Sequence, residues 1–279
     1  MGGHGSFDNY KFLRVIKNLK IPNQEPYEIK EYYKSGKLAM AGSIIPSKND
    51  KRLGSFNYFF ENGIKKSIEL YDEGLLKSKY DFYEKGQKKM VSEYSFNIKQ
   101  LTNEKKITQF WDEDGTQKVI DGNGFLENTE EGESEKGEIK EGLKEGIWEG
   151  KQDKFSYKEK YKNGILLSGV SVDEFSELHS YNELLIMPVP KKGIKDFYEY
   201  IGQNMFVPEG SIGGKIVIAF LVDKNGKIIK TKIEKDIGYE GGKEAIKVLL
   251  KYGNWQPGIH RGRNVRCHFT LPISIQSSN

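Results

Sequence analysis

The sequence predicts a mainly β chain that ends in a smaller α+β domain, and three observations predict it. The 279 residues include 31 Gly, 16 Tyr and 15 Phe but only 8 Pro, a balance that suits many short strands joined by tight turns. A phrase of two aromatics, a few polar residues, Gly and a Lys-rich run recurs through residues 31–170. From Tyr181 onward the phrase stops, and helical spacing alternates with strand patterns. The division predicted is residues 1–6 (MGGHGS) as a remnant of recombinant expression, 7–180 as hairpin repeats and 181–279 as a second domain.

The repeats come first. Strong copies are EYYKSGKLAMAG (residues 31–42), YFFENGIKKSIELY (58–71), DFYEKGQKKMVSEY (81–94) and QFWDEDGTQKVIDG (109–122), with a weaker echo in KEKYKNGILLSG (158–169). The second aromatics of the strong copies, Tyr33, Phe60, Tyr83 and Trp111, are spaced by 27, 23 and 28 residues. Each copy reads as a β-hairpin, because Gly at the turn accepts positive φ and the flanking residues alternate. A lone hairpin is marginal in water, and stacked hairpins whose aromatics form a spine solve that problem. The acidic stretch LENTEEGESEKG (126–137) reads as a loop or a weakly paired hairpin. Its carboxylates Glu130, Glu131, Glu133 and Glu135 read as a solvated charge run.

The second domain reads helix, strand, strand, helix, strand. Ile194, Phe197, Tyr198 and Ile201 fall on one face of a helix. GGKIVIAFLVDKNGKIIKTKIEK follows as a central strand and an edge strand around Asp223-Lys224-Asn225-Gly226. Ala245, Val248, Leu249 and Tyr252 share a face of a second helix, which Gly253 caps. The last strand alternates, with Val265, Cys267, Phe269, Leu271 and Ile273 inward and Arg266, His268, Thr270 and Ser274 outward. Trp255 is expected in the core and Pro257-Gly258 as a chain reversal. The outcome is a three-stranded antiparallel sheet with two helices on one face.

Composition narrows the function classes. Net charge is +4, with the basic excess towards the C-terminal end, and no aromatic platform interleaves with Arg261, Arg263 and Arg266, so nucleic acid is not expected. The single Cys267 cannot form an internal disulfide and reads as a small buried hydrophobe. The four His are scattered along the sequence without a ligand pattern, so neither a metal nor a cofactor is expected. No Ser/His/Asp set or carboxylate pair stands out, so no catalytic residue is assigned. No apolar run is long enough to span a bilayer.

The motifs YYKSGKL, FYEKGQKK, EGLKEGIWEG and YKNGILLSG resemble the MORN-variant repeat, which implies an elongated, twisted antiparallel sheet used as a spacer or interaction surface. The pieces GKIVIAFLVDKNGKI, EAIKVLLKYGNWQPG and RGRNVRCHFTLPI, with VP ahead of them, resemble the TonB C-terminal domain in its Bacteroidota form over about residues 184–275. Val207 stands where that family often has Tyr, and Pro272 removes a backbone donor.

The resemblance implies strand addition: an extended peptide, such as the TonB box of an outer-membrane receptor, pairs with the last strand. Arg263, Arg266, His268 and Thr270 are the candidate partner-binding residues. Trp255, Pro257, Gly258, Tyr33, Phe60, Tyr83 and Trp111 are structural. The expectation is a non-enzymatic periplasmic or outer-membrane-associated protein, its signal or lipid-anchor segment taken to have been removed. The sequence shows neither the membrane anchor nor the Pro-rich spacer of an energy-transducing transport protein, so a binding module is expected instead. The alternative is a soluble scaffold whose repeats bind the partner while the TonB-like domain self-associates, and monomer and dimer both stay open.

Overall fold

In the computed structural model the described residues are 12–16, 26–45, 50–97, 102–130, 132–206, 213–238, 240–253 and 255–275. Residues 1–6, Glu131 and Val207 lie outside them. By contacts the chain divides into two compact units, one of residues 1–153 with 160–165 and one of residues 154–159 with 166–279.

The first unit is an antiparallel meander. Its strands are β1 (Phe12–Ile16), β2 (Tyr27–Tyr33), β3 (Leu38–Ile45), β4 (Lys51–Phe59), β5 (Lys65–Asp72) and β6 (Leu75–Phe82). They continue as β7 (Lys88–Asn97), β8 (Thr102–Trp111), β9 (Gln117–Ile120), β10 (Asn123–Glu130), β11 (Glu133–Lys140) and β12 (Leu143–Gln152). Each strand pairs with the next in sequence.

The recurring phrase is the turn itself. Gly36, Gly63, Gly86 and Gly115 take φ of 80, 89, 91 and 87°. Each donates its N–H to the residue three before it, respectively Tyr33, Phe60, Tyr83 and Asp112. The Tyr33 hydroxyl reaches the Phe59 carbonyl at 2.6 Å and the Tyr83 hydroxyl the Trp111 carbonyl at 2.8 Å, so one copy is stitched to the next. Tyr33, Phe60, Tyr83 and Trp111 are therefore half-buried at turn ends. The deepest rings are others, Phe56, Phe110 and Trp148.

A ring is sealed by lying over glycine on the neighbouring strand. The Phe56 ring covers Gly42, and Trp148 covers Gly137, its partner in register. A methyl group at either glycine would enter the ring. Towards the end of the unit the two-residue turns also stack through their backbones. The Gly142 N–H donates to the Gly122 carbonyl at 2.8 Å and the Gly164 N–H to the Lys144 carbonyl at 2.9 Å. Val119, Leu126 and Ile139 are buried beside them.

The acidic stretch is a regular hairpin, β10 with β11, joined by seven register pairs from Gly124–Ile139 to Glu130–Glu133. Lysines answer its charge: Lys89 binds Glu130 at 2.9 Å and Lys144 binds Glu135 at 2.7 Å.

The second unit contains most of β13 (Phe155–Lys162) and β14 (Ile165–Val172), then β15 (Leu178–Tyr181), β16 (Leu185–Ile186), β17 (Val189–Pro190) and α1 (Ile194–Asn204). After these come β18 (Gly214–Val222), β19 (Ile228–Lys235), α2 (Gly241–Tyr252), β20 (Trp255–Gln256), β21 (Gly258–His260), β22 (Arg263–Val265) and β23 (Cys267–Ile275). The main sheet has the order β19-β18-β23, with two small sheets β16-β21-β22 and β17-β20.

Its core joins Phe197 and Ile201 of α1, the even-numbered residues 216–222 of β18, the α2 face, Trp255, Leu271 and Ile273. Trp255 meets the rings of Phe197, Phe220 and Phe269 with centroids 5.3–5.4 Å apart. All four residues expected on the α2 face are buried, and Gly253 ends that helix at φ 59°. On α1 only Phe197 and Ile201 are buried, while Ile194 and Tyr198 face outward.

Candidate functional site

The main sheet of the second unit has two edges, and they are built differently. The outer strand β19 carries two register shifts against β18, and Lys230 in it has φ 52°. With Lys232 and Lys235 it shows the bulges and charges that keep an edge from pairing. Strand β23 pairs with β18 in nine consecutive positions, Gly214–Ile275 to Val222–Cys267, without a shift. Among the described residues nothing pairs with its other side.

Which amides of β23 face outward follows from the hairpin. The Asp223 N–H donates to the Lys227 carbonyl at 2.9 Å. Odd-numbered residues of β18 therefore direct their backbones to β19 and even-numbered ones to β23, since the direction alternates along a strand. In register, Phe269, Leu271 and Ile273 face Phe220, Ile218 and Ile216 and take the inward bonds. His268, Thr270, Pro272 and Ser274 direct their backbones to the open edge. Pro272, which has no N–H, thus sits where no ladder bond is lost. His268, Thr270 and Ser274 supply outward donors.

Where the edge ends, a groove of about 470 Å³ opens beside α1. Tyr198, Ile201, Gly202 and Met205 line one wall and Lys215 with residues 272–275 the other. The groove offers apolar surface next to the outward backbone. Among the described residues its one charged lining residue is Lys215.

The four candidate contact residues do not form one cluster. His268 and Thr270 are exposed on β23, and Arg266 is exposed just before it. Arg263 lies apart, its guanidinium 3.2 Å from the Phe155 ring centre. Arg261 is also turned inward: its Nε donates to Glu159 Oε1 at 2.7 Å, and its guanidinium stacks on Tyr157. Glu159 is fully buried and also accepts the Tyr181 hydroxyl at 2.8 Å. Burial and this carboxylate raise the Tyr181 phenol well above its usual range. The basic segment ahead of β23 is therefore turned against β13 through Arg261 and Arg263. β13 is the strand that makes this possible, since it alternates buried and exposed along its whole length. Its aromatic-Glu-aromatic inner face was the available signal in the sequence.

Pro257 and Gly258 link β20 to β21, and the reversal itself falls at Arg261-Gly262 with φ 49 and 76°. Gly258 is packed so closely on the Cys267 sulfur that no side chain fits. Burial pushes the Cys267 thiol up, which disfavours the reactive thiolate.

One grouping crosses the sequence pattern. A turn brings His179 to 3.0 Å from Asp173, and Glu177 joins them with all donor atoms within 4.8 Å. Asp173 is already engaged there, because its Oδ1 accepts the Phe175 and Glu177 amides at 2.9 and 3.0 Å. Asp223 closes its own turn in the same way without a His.

Among the described residues no helix is long and apolar enough to cross a membrane. Residues 209–274 match the family model described as Gram-negative bacterial TonB protein C-terminal. That family serves protein interaction in the cell envelope and is not enzymatic. No curated protein and no solved structure gives a significant match to the chain. The hairpin sheet fits a repeat region, and it lies outside the matched residues.

Proposed function

We propose that this protein is a non-enzymatic binding protein of the bacterial envelope that captures an extended peptide along β23. The observation that carries the reading is the contrast between the two sheet edges: β19 is bulged and Lys-studded, β23 is regular and open. Main-chain bonds to His268 and Thr270 supply affinity, and the groove beside α1 receives a side chain of the incoming strand. Arg266 flanks the entry. Arg263, held on Phe155, keeps the approach to the edge in place. The candidate partner is the TonB box of an outer-membrane receptor, reached from the periplasmic side. The hairpin units of the first part, in the manner of MORN-type repeats, act as spacer or second interaction surface.

Amide-resolved NMR of the full chain, titrated with a synthetic TonB-box peptide, tests this. The expected perturbations lie on β23 and the groove face of α1. Thr270→Pro removes one outward amide and leaves the inward bonds of Phe269 and Leu271, so it should abolish binding without lowering thermal stability by more than a few degrees. Unchanged binding by a folded Thr270→Pro protein would falsify strand addition. Perturbations confined to the hairpin sheet would favour the scaffold reading, in which the repeats hold the partner.

A further inference from the structure

The face of β6, β7 and β8 carries a second site, independent of the β23 edge. Tyr80, Val91 and Gln109 stand in register across the three strands. Phe82 and Lys88 pair with each other one step along, and Trp111 follows Gln109 on the same face. Each strand pair here has a register shift, after Asp81, Val91 and Phe110 respectively. Such bulges bend a sheet locally and increase its twist. A cavity of about 600 Å³ lies here, lined by these residues with Met90, Asp81, Glu93, Thr108 and Asp121. That volume lies within the range of small-molecule sites.

The lining chemistry weighs against three ligand classes in turn. An anion would meet Glu93 and Asp121 at close quarters. A cation would meet the Lys88 ammonium, which already stands 5.5 Å from the centre of the Trp111 ring. An apolar ligand would strip water from Glu93, Gln109 and Lys88 and return no hydrogen bond. Asp81 adds little net charge, since Lys79 pairs with it at 2.9 Å. A neutral ligand remains, one with an apolar face for the Tyr80, Phe82 and Trp111 rings and groups at its rim that both donate and accept. Hydroxyl groups do both, and a sugar ring joins such a rim to a face of C–H bonds.

We propose that this concave face binds the ring of a neutral saccharide. Trp111 provides the stacking platform once the Lys88 ammonium leaves its ring for a sugar hydroxyl, and Gln109 and Glu93 take the neighbouring hydroxyls.

Tryptophan emission reads the site directly, because Trp148 and Trp255 are 0% exposed and Trp111 is the accessible indole. The full chain is titrated with cellotetraose, maltotetraose and chitotetraose at up to millimolar concentration. At least one should give a saturable change, and calorimetry should show that Trp111→Ala weakens it by about tenfold or more. Gln109→Ala and Glu93→Gln, which leave the aromatic platform in place, should each weaken it several-fold. Thr270→Pro should leave it unchanged. The proposal is overturned if none of the three sugars gives a saturable change. It is equally overturned if folded Gln109→Ala and Glu93→Gln bind like the parent, or if a hexalysine peptide alone saturates the signal.

Discussion

Trp148 in the first unit and Trp255 in the second are both sealed from solvent, but by different neighbours. Trp148 lies over Gly137 on the adjacent strand, and its indole N–H donates to the Glu138 carbonyl at 3.1 Å. Trp255 sits where α1, β18 and β23 converge, ringed by Phe197, Phe220 and Phe269, and its N–H has no hydrogen-bond partner among the described residues. The first arrangement is local: a ring and a glycine on neighbouring strands suffice, and it can recur along a chain. The second is communal, because a helix and two strands each contribute a ring to it. A repeat sheet can therefore lengthen by adding strands, while the α+β module closes once and leaves an edge to spare.

The largest effect that would test this contrast is at Trp255. Trp255→Ala should cost about 3–5 kcal/mol and remove the unfolding transition of the second unit in guanidinium, with the first unit's transition retained. Trp255→Phe should cost far less, because it also removes an unpaired buried donor.

Glu159→Ala comes next. It removes the carboxylate that Arg261 and the Tyr181 hydroxyl share, and losing one partner of a buried pair costs about 3–5 kcal/mol. The Tyr157 ring still holds the cation, so the lower end of that range is expected, read by the same titration. Gly137→Ala should cost about 1–3 kcal/mol through overpacking against Trp148. Near-ultraviolet dichroism should show the change confined to the first unit.

The smallest effect is alkaline. Burial, followed by the Glu69 carboxylate, pushes Tyr58 up to about 12 in the first unit. Burial and Asp196 push Tyr252 up to about 12 in the second. Both phenols are held neutral by the fold, so their contribution is complete below the ordinary tyrosine value and is lost as pH rises from about 10 towards 12. Melting followed from pH 8 to 12 should show both units declining in that window. A fall already complete at pH 9 would contradict it.

Much of the molecule was legible from residue order. Gly after a pair of aromatics marked the hairpin turns, and Ala245, Val248, Leu249 and Tyr252 marked the buried side of α2. The alternation from Cys267 to Ile273 separated the inner and outer residues of β23. Failures came where tertiary neighbours decide. Ile194 and Tyr198 share a helical stripe with Phe197, yet the core reaches only the centre of that stripe. Arg261 and Arg263 look like solvent charges until β13 supplies a carboxylate and two rings more than a hundred residues away in sequence. The acidic hairpin was hard to recognise because its apolar content is low, and its counter-charges, Lys89 and Lys144, come from other strands. At the candidate site the last strand could be named from sequence. The regularity of one edge against the bulges of the other could not, because a register shift leaves no mark on composition.

The geometry of β23 also has a mechanical meaning. Hydrogen bonds between paired strands run across the strand axis. A peptide clipped along His268–Ser274 and tugged lengthwise would load those bonds together, in shear. The same peptide lifted away from the edge would lose them one after another, like a zip. For such a peptide the edge would be a directional grip, firm along its own axis and easily released by peeling.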